Sequence, residues 1–165
     1  MAASWCVGSR PHSEHSLKFP RLPVDDELEI RSLFARYGHW ADAGDERFVE
    51  LFTPDATWTR ANSPPASQGG SGLPPETIQG RDKLGALMVD IMQKKFRQRM
   101  HHQFSDFYVE PGDGADDAIG HARALITDWR EGAGKIAMFG MYTLRFSRSA
   151  EGWRISDAVV RVRPD

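Results

Sequence analysis

The hydrophobic period of this chain changes once, near Arg99. Before that point, apolar residues recur three and four positions apart, which is the spacing of amphipathic helices. After it, apolar and polar residues alternate in segments separated by turns rich in Gly, as in strands joined by antiparallel hairpins. Helices followed by a run of strands predict an α+β fold. The four long strands are predicted over residues 101–110, 118–129, 135–147 and 153–162.

The first helix is predicted to begin near Val24 and to stop at Gly44. Asp45 is placed to cap a short second helix that ends at Pro54, and a strand over residues 56–59 follows. We expect the long strands to form a curved, mostly antiparallel sheet wrapped around the first helix. Such a sheet leaves a cone with an open mouth, which is a natural site for a small molecule.

A third helix is predicted after Gly80-Arg-Asp82. Residues 61–76, rich in Asn, Ser, Pro and Gly, are predicted to form a long loop that is either a lid or an insertion. Residues 1–23 have no continuous apolar segment of the kind found in secretory signals, and we expect a flexible N-terminal arm there. Residues 24–165 then form one domain.

The composition excludes several classes of function. The formal net charge of −2 over 165 residues gives no basic surface, so we expect no binding to nucleic acid. No apolar run approaches the roughly 18 residues needed to span a bilayer, so we expect no membrane association. The single cysteine, Cys6, cannot form an internal disulfide, which fits a reducing compartment, and we expect a cytoplasmic protein.

The first candidate chemical group is the pair Tyr37 and Asp42 on the apolar first helix. Their five-residue separation puts them roughly 140° apart around an ideal helix, so the two side chains do not share a face. From spacing alone, the Tyr is more often a core residue and the Asp more often solvated. A carboxylate and a phenol in apolar surroundings are nevertheless groups whose pKa values shift and that handle protons.

The second candidate group lies on the first long strand. Strand alternation predicts that His102, Phe104, Asp106 and Tyr108 share one face. Histidine is the side chain best suited to proton abstraction near neutral pH, although a strand histidine is more often structural. An Asp can fix the tautomer of a histidine and stabilise the imidazolium that forms, so we predict an Asp42–His102 pair facing a dry cavity.

We expect neither a metal nor a cofactor. The adjacent histidines of the strand point to opposite faces, and no helical histidine pair at four-residue spacing exists. Gly69-Gly-Ser-Gly72 is not followed by the Lys-Ser/Thr of a phosphate-binding loop, and no Gly-x-Ser-x-Gly motif occurs.

Several short patterns together resemble a known family. They are the Tyr37-to-Asp42 spacing, Gly44-Asp45 before Leu51-Phe52, Asp55-Ala-Thr-Trp58, Gly80-Arg81, His102 with a polar residue at 106, Gly140-Met-Tyr142 and Gly152-Trp-Arg-Ile155. With them, residues 27–163 resemble the SnoaL-like branch of the nuclear-transport-factor-2-like superfamily. This resemblance implies a cone-shaped fold with a long N-terminal helix and two further helices.

The resemblance implies that Tyr37, Asp42 and His102 are catalytic, as in dehydratase and dehydrochlorinase members. It implies a further polar group from the next strand, for which Thr127 or Asp128 is the counterpart. The family often has an acid where this chain has Leu144, a departure that leaves the local cavity more apolar. Arg148 matches a functional arginine of the dehydrochlorinase or is simply a solvated hairpin charge.

We therefore expect a cofactor-independent lyase or isomerase, of dehydratase or cyclase type, acting on a hydrophobic oxygenated small molecule such as a polyketide, steroid or terpenoid. The alternatives are a non-catalytic binding module and an accessory subunit of a larger oxygenase. The resemblance also implies a homodimer or homotrimer paired through the exposed sheet face. The predicted substrate contacts, some of which ordinary packing explains equally well, are Trp40, Trp58, Phe104, Asp106, Thr127, Met138 and Tyr142.

Overall fold

The computed structural model describes residues 19–62, 65, 67 and 74–163. Most of the predicted N-terminal arm, residues 1–18, lies outside the described residues, as do most of the residues of the predicted 61–76 loop. Within the described part of the chain, no helix has the combination of length and apolar character that crossing a bilayer requires.

The first helix, α1, spans Val24–Ala43, as predicted. Asp25, Asp26 and Glu27 occupy its first turn, where the helix dipole favours negative charge. Gly44 ends it in the left-handed conformation, with φ of 61° and its N–H donating to the Ala41 carbonyl at 3.0 Å. The buried stripe of α1 contains Ile30, Leu33, Phe34, Tyr37 and Ala41.

A 3₁₀ helix over Glu46–Leu51 follows, and the Asp45 side chain caps it by accepting from the Arg47 N–H at 2.9 Å. Strand β1 begins immediately afterwards and spans Phe52–Asn62. The prediction that the helix continues to Pro54 was therefore wrong. Proline is tolerated here because the β1–β6 register shifts between Phe52 and Thr57, so regular pairing is interrupted at that point.

Strand β2, Glu76–Gln79, pairs with β1 and was not predicted, because its polar sequence reads as loop. Helix α2 spans Arg81–Asp90 and runs directly into a π-helical turn over Ile91–Lys95. The remaining strands are β3 (Met100–Pro111), β4 (Asp117–Asp128), β5 (Lys135–Ser149) and β6 (Gly152–Arg163).

The six strands form one sheet in the order β2-β1-β6-β5-β4-β3. All neighbouring pairs are antiparallel except β1 and β6, which are parallel. The sheet curves without closing, and α1 packs against its inner face. The predicted α+β cone with a mostly antiparallel sheet is confirmed.

The start of α1 is attached to the sheet through Trp153, which is fully buried. Its indole N–H donates to Asp26 at 3.1 Å, and its backbone N–H donates to Glu29 at 2.9 Å. Arg148 donates to the same Asp26 carboxylate at 2.7 Å and to Asp116 at 3.0 Å. Arg148 therefore has a structural ion pair at this end of the helix, and it does not line the cavity described below.

Strand β3 contains a bulge that breaks its alternation. Ser105 pairs with Arg123 and Tyr108 with His121, so β3 has one residue more than β4 between these pairs. Asp106 adopts a φ of 55° at this point, and Phe107 turns inward to stack on Phe34 with ring centroids 4.4 Å apart. The prediction that Asp106 shares the face of His102 was wrong, because the bulge reverses the pattern.

The assignment of β5 side chains to the core face of the sheet can be tested at Leu144, which is completely buried in the core. Leu144→Ala should lower the free energy of unfolding by about 2–5 kcal/mol, because it removes packed methyl groups and leaves a cavity. The matched variant Ile136→Ala, at a side chain that is 70% exposed on the same strand, should change it by less than about 0.5 kcal/mol. Urea denaturation measures both values, and equal losses would contradict this assignment of the two faces.

Candidate active site

An apolar cavity of about 120 Å³ lies between α1, the inner face of the sheet and the α2–π turn segment. Cross-strand pairing explains which side chains reach it. His102, Ile126 and Met138 lie in one row across β3, β4 and β5, and all three line the cavity. The other lining residues are Tyr37, Ala41, Trp58, Arg60, Met88, Ile91, Met92, Phe96, Met100, Tyr142, Val160 and Val162.

Asp42 and His102 are in direct contact. One Asp42 carboxylate oxygen lies 2.5 Å from Nδ1 of His102, and the other accepts from the His102 backbone N–H at 2.8 Å. Both side chains are about 15% exposed. Since a carboxylate only accepts hydrogen bonds, Nδ1 carries the proton, and in the neutral ring Nε2 is left with a free lone pair. The neighbouring His101 is exposed, with its Nδ1 3.8 Å from Asp42.

The angular separation of Tyr37 and Asp42 has a simple structural meaning. Tyr37 faces the cavity, whereas Asp42 faces strand β3 and borders a groove of about 660 Å³ on the outside of the domain. His102 borders both the cavity and the groove. The imidazole therefore lies between the carboxylate and the cavity, an arrangement in which Asp42 orients the ring.

Tyr37 is 2% exposed, and its hydroxyl oxygen accepts from the Trp58 indole N–H at 3.2 Å. Burial raises the pKa of Tyr37 far above its ordinary value. The Trp58 hydrogen bond lowers this pKa by a smaller amount, and the nearby Asp42 charge raises it by less again. The phenol is therefore neutral and keeps its own proton available for donation.

Tyr142 is a second buried phenol in the cavity wall. Its ring is nearly perpendicular to that of Tyr37, with centroids 6.1 Å apart. Burial raises the pKa of Tyr142 well above its ordinary value, and the electrostatic coupling to the neighbouring Tyr37 and the charge of Asp42 raise it further. The site thus combines two neutral hydroxyl groups with one imidazole in apolar surroundings.

Of the predicted substrate contacts, Trp58, Met138 and Tyr142 line the cavity. Phe104 lies behind it, stacked on His102 with centroids 5.8 Å apart, and borders the outer groove. Trp40 does not line the cavity; it is partly buried against the core, and the Arg47 guanidinium lies 5.0 Å from its ring centroid.

The predicted polar contacts Asp106 and Thr127 also lie outside the cavity. Asp106 is exposed and pairs with Arg123 at 3.2 Å on the outer side. Thr127 alternates with Ile126, which takes the inward position, and accepts from the Trp129 indole at 3.0 Å.

Asp128, the other candidate on β4, is bound to Arg130. The Arg130 hydrogen bonds lower the pKa of Asp128 to about 2. This carboxylate therefore has a structural partner and does not face the cavity.

The sequence did not predict the residues of the cavity wall that lies opposite the strand residues. Four methionines line the cavity, three of which (Met88, Met92 and Met100) come from α2, the π turn and the start of β3. It also missed Arg60, whose position two residues after Trp58 on the same strand was a usable signal. In the residues that the structure describes, no cluster of three or more His, Cys, Asp or Glu side chains is arranged to hold a metal ion.

Comparison with known families gives a match to the SnoaL-like domain over residues 23–159. The chain belongs to the SnoaL-like family. The match covers both partners of the Asp42–His102 pair and all of the sheet except residues 160–163 of β6. A comparison with curated proteins yields no significant match.

Solved structures with the same fold include a nuclear-transport-factor-2-like protein from Novosphingobium aromaticivorans, with 23% identity and a TM-score of 0.69 over 84% of this chain and 82% of that one. A candidate scytalone dehydratase from the same organism has 16% identity and a TM-score of 0.65 over 83% of each chain. Aln2 from a Streptomyces species has 20% identity and a TM-score of 0.67 over 86% of this chain and 94% of that one. These likenesses establish the shared fold.

The geometry predicts the tautomer of His102. At a pH where the ring is neutral, ¹⁵N NMR of selectively labelled histidine should show a protonated Nδ1 and an unprotonated Nε2 for His102, because Asp42 accepts from Nδ1. In Asp42→Asn the preference for this tautomer should weaken. A neutral ring protonated at Nε2 in the unmodified protein would contradict the arrangement.

Proposed function

We propose that this protein is a cofactor-independent acid–base lyase or isomerase, of dehydratase or cyclase type, that acts on a hydrophobic oxygenated small molecule. The observation that carries the proposal is the position of His102, held by Asp42 at 2.5 Å on the wall of an apolar cavity that also contains the neutral Tyr37 hydroxyl. A base, its orienting carboxylate and a hydrogen-bond donor are the groups that proton abstraction beside a carbonyl requires.

In the proposed reaction, Nε2 of His102 takes a proton from a carbon next to a carbonyl group of the substrate. The electron pair of the broken C–H bond moves toward the carbonyl oxygen, and the Tyr37 hydroxyl donates a hydrogen bond to the oxyanion that develops. Asp42 stabilises the imidazolium. Because burial raises the pKa of Tyr37, the phenol is better suited to donating a hydrogen bond than to transferring its proton.

Two outcomes complete the reaction. In a dehydration, the enolate expels a hydroxyl group from the next carbon, and the imidazolium of His102 protonates that oxygen, so that water leaves and the histidine returns to its neutral form. In an isomerisation, the imidazolium returns the proton to a different carbon. Neither reaction needs a further reactant, and both use His102 first as base and then as acid.

The size of the cavity limits how much of the substrate it can enclose. A cavity of about 120 Å³ approaches the volume of roughly 150 Å³ that holds a benzene molecule in another protein, so it accommodates about one six-membered ring. Polyketides, steroids and terpenoids are larger. Methionine side chains are unbranched and repack easily, so the methionine wall supports accommodation of a larger ligand by side-chain movement.

Cyclic β-hydroxy ketones incubated with the protein in D₂O provide the test, with deuterium incorporation and loss of water followed by mass spectrometry. His102→Ala should lower the rate by about 10²–10⁴-fold, because the base is lost. His121→Ala, a control on the outer side of the sheet, should retain the rate of the unmodified protein. Equal rates for His102→Ala and the unmodified protein would contradict the assignment, and binding without exchange or elimination would favour a non-catalytic binding module.

A further inference from the structure

A buried arginine lines the otherwise apolar cavity. Arg60 is 9% exposed, and it is the one Lys or Arg among the described lining residues. Its position follows from the sheet register, because Arg60, Val160 and Tyr142 form one row across β1, β6 and β5. All three side chains therefore face the same side of the sheet, toward the cavity.

Neighbouring groups hold part of the guanidinium in place. Nε donates to the Pro74 carbonyl at 3.0 Å, Nη2 donates to the Glu76 carboxylate at 2.8 Å, and Cζ lies 5.9 Å from the centroid of the Trp58 ring. These contacts to described residues use Nε and Nη2. Since burying a charged group is costly unless it is paired, a further anionic partner on the cavity side of the guanidinium is favourable.

Glu76 does not cancel the charge of Arg60 completely. Its side chain is 46% exposed, whereas that of Arg60 is 10% exposed, so water screens the carboxylate more than the guanidinium. A carboxylate within the cavity would meet Arg60 in less polar surroundings, where charge-assisted hydrogen bonds are stronger.

We propose that Arg60 binds a carboxylate of the ligand and that the ligand class is therefore a hydrophobic cyclic acid. Identifying this acid as the substrate rests on the proposed function. In the curved sheet, β6, β5 and β4 separate the Arg60 strand from the His102 strand, so the two side chains enter the cavity from different parts of its wall. The acid group thus lies toward one side of the cone, and the reacting carbon lies toward the other.

The proposal is tested by binding, with 4-fluorobenzoate and the neutral, similarly shaped 4-fluorobenzamide as one-ring probes, followed by ¹⁹F NMR at neutral pH. The unmodified protein should bind the acid at least about tenfold more tightly than the amide. Arg60→Gln should remove this preference while leaving the amide affinity nearly unchanged. The matched control Arg123→Gln, at an exposed position outside the cavity, should keep the preference.

The Glu76→Gln variant is expected to have the opposite effect on acid binding from Arg60→Gln. Removing the carboxylate that competes for Arg60 should strengthen acid binding and leave amide binding unchanged, which a purely structural role of the ion pair would not produce. Equal affinities for the two probes, no acid binding, a preference that survives in Arg60→Gln, or no gain in Glu76→Gln would each overturn the proposal.

The binding experiment is separable from catalysis. His102→Ala should retain the preference for the acid even though it should lose turnover. A protein that prefers the acid but shows no proton exchange would retain the Arg60 assignment and reject the proposed reaction. A protein that catalyses exchange without preferring the acid would retain the proposed reaction and reject the Arg60 assignment.

Discussion

The contact between the Asp42 carboxylate and His102 links the architecture of this protein to its chemistry. The two Asp42 carboxylate oxygens accept from the backbone N–H and from the ring of His102, so the Asp42 side chain fixes both the strand and the imidazole. β3 is the last strand of the sheet and needs partners along its open edge. The end of α1 supplies one of them, and the ring is oriented as a consequence.

The surroundings of this contact decide what it can do. The two phenols of the cavity wall are buried, and the negative charge of Asp42 raises their pKa values further, so both remain neutral donors. An imidazole with a free Nε2 beside neutral donors can accept a proton from carbon while an oxyanion develops nearby. Arg60 adds a positive group on a separate part of the same wall. Under the proposed function, these polar groups would serve proton transfer, oxyanion stabilisation and substrate recognition in otherwise apolar surroundings.

Much of the fold could be predicted from local signals. The change of hydrophobic period identified the α+β order, and Gly44 marked the end of α1 because a left-handed residue is needed there. The 140° between Tyr37 and Asp42, expected for five residues of an ideal helix, was an apparent objection to a shared site. It is resolved because Tyr37 faces the cavity and Asp42 faces strand β3, while His102 borders both the cavity and the outer groove, which only the packing of α1 on β3 reveals.

The errors have physical causes that a single sequence does not express. The bulge at Asp106 reverses the alternation of β3. β2 forms because β1 offers it a pairing edge, although its own residues are polar. The methionine wall depends on how the α2–π turn segment lies over the sheet, which is a tertiary property. Arg60 was overlooked because the strand was predicted to end at residue 59, whereas β1 continues to Asn62.

The most direct measurement is a double-mutant cycle of Asp42→Asn and His102→Ala, read out as deuterium exchange into a cyclic ketone. If Asp42 acts only through the imidazole, the double variant should exchange no more slowly than His102→Ala alone. Rate losses that add up in the double variant would show that the carboxylate acts independently of His102, and they would contradict the account.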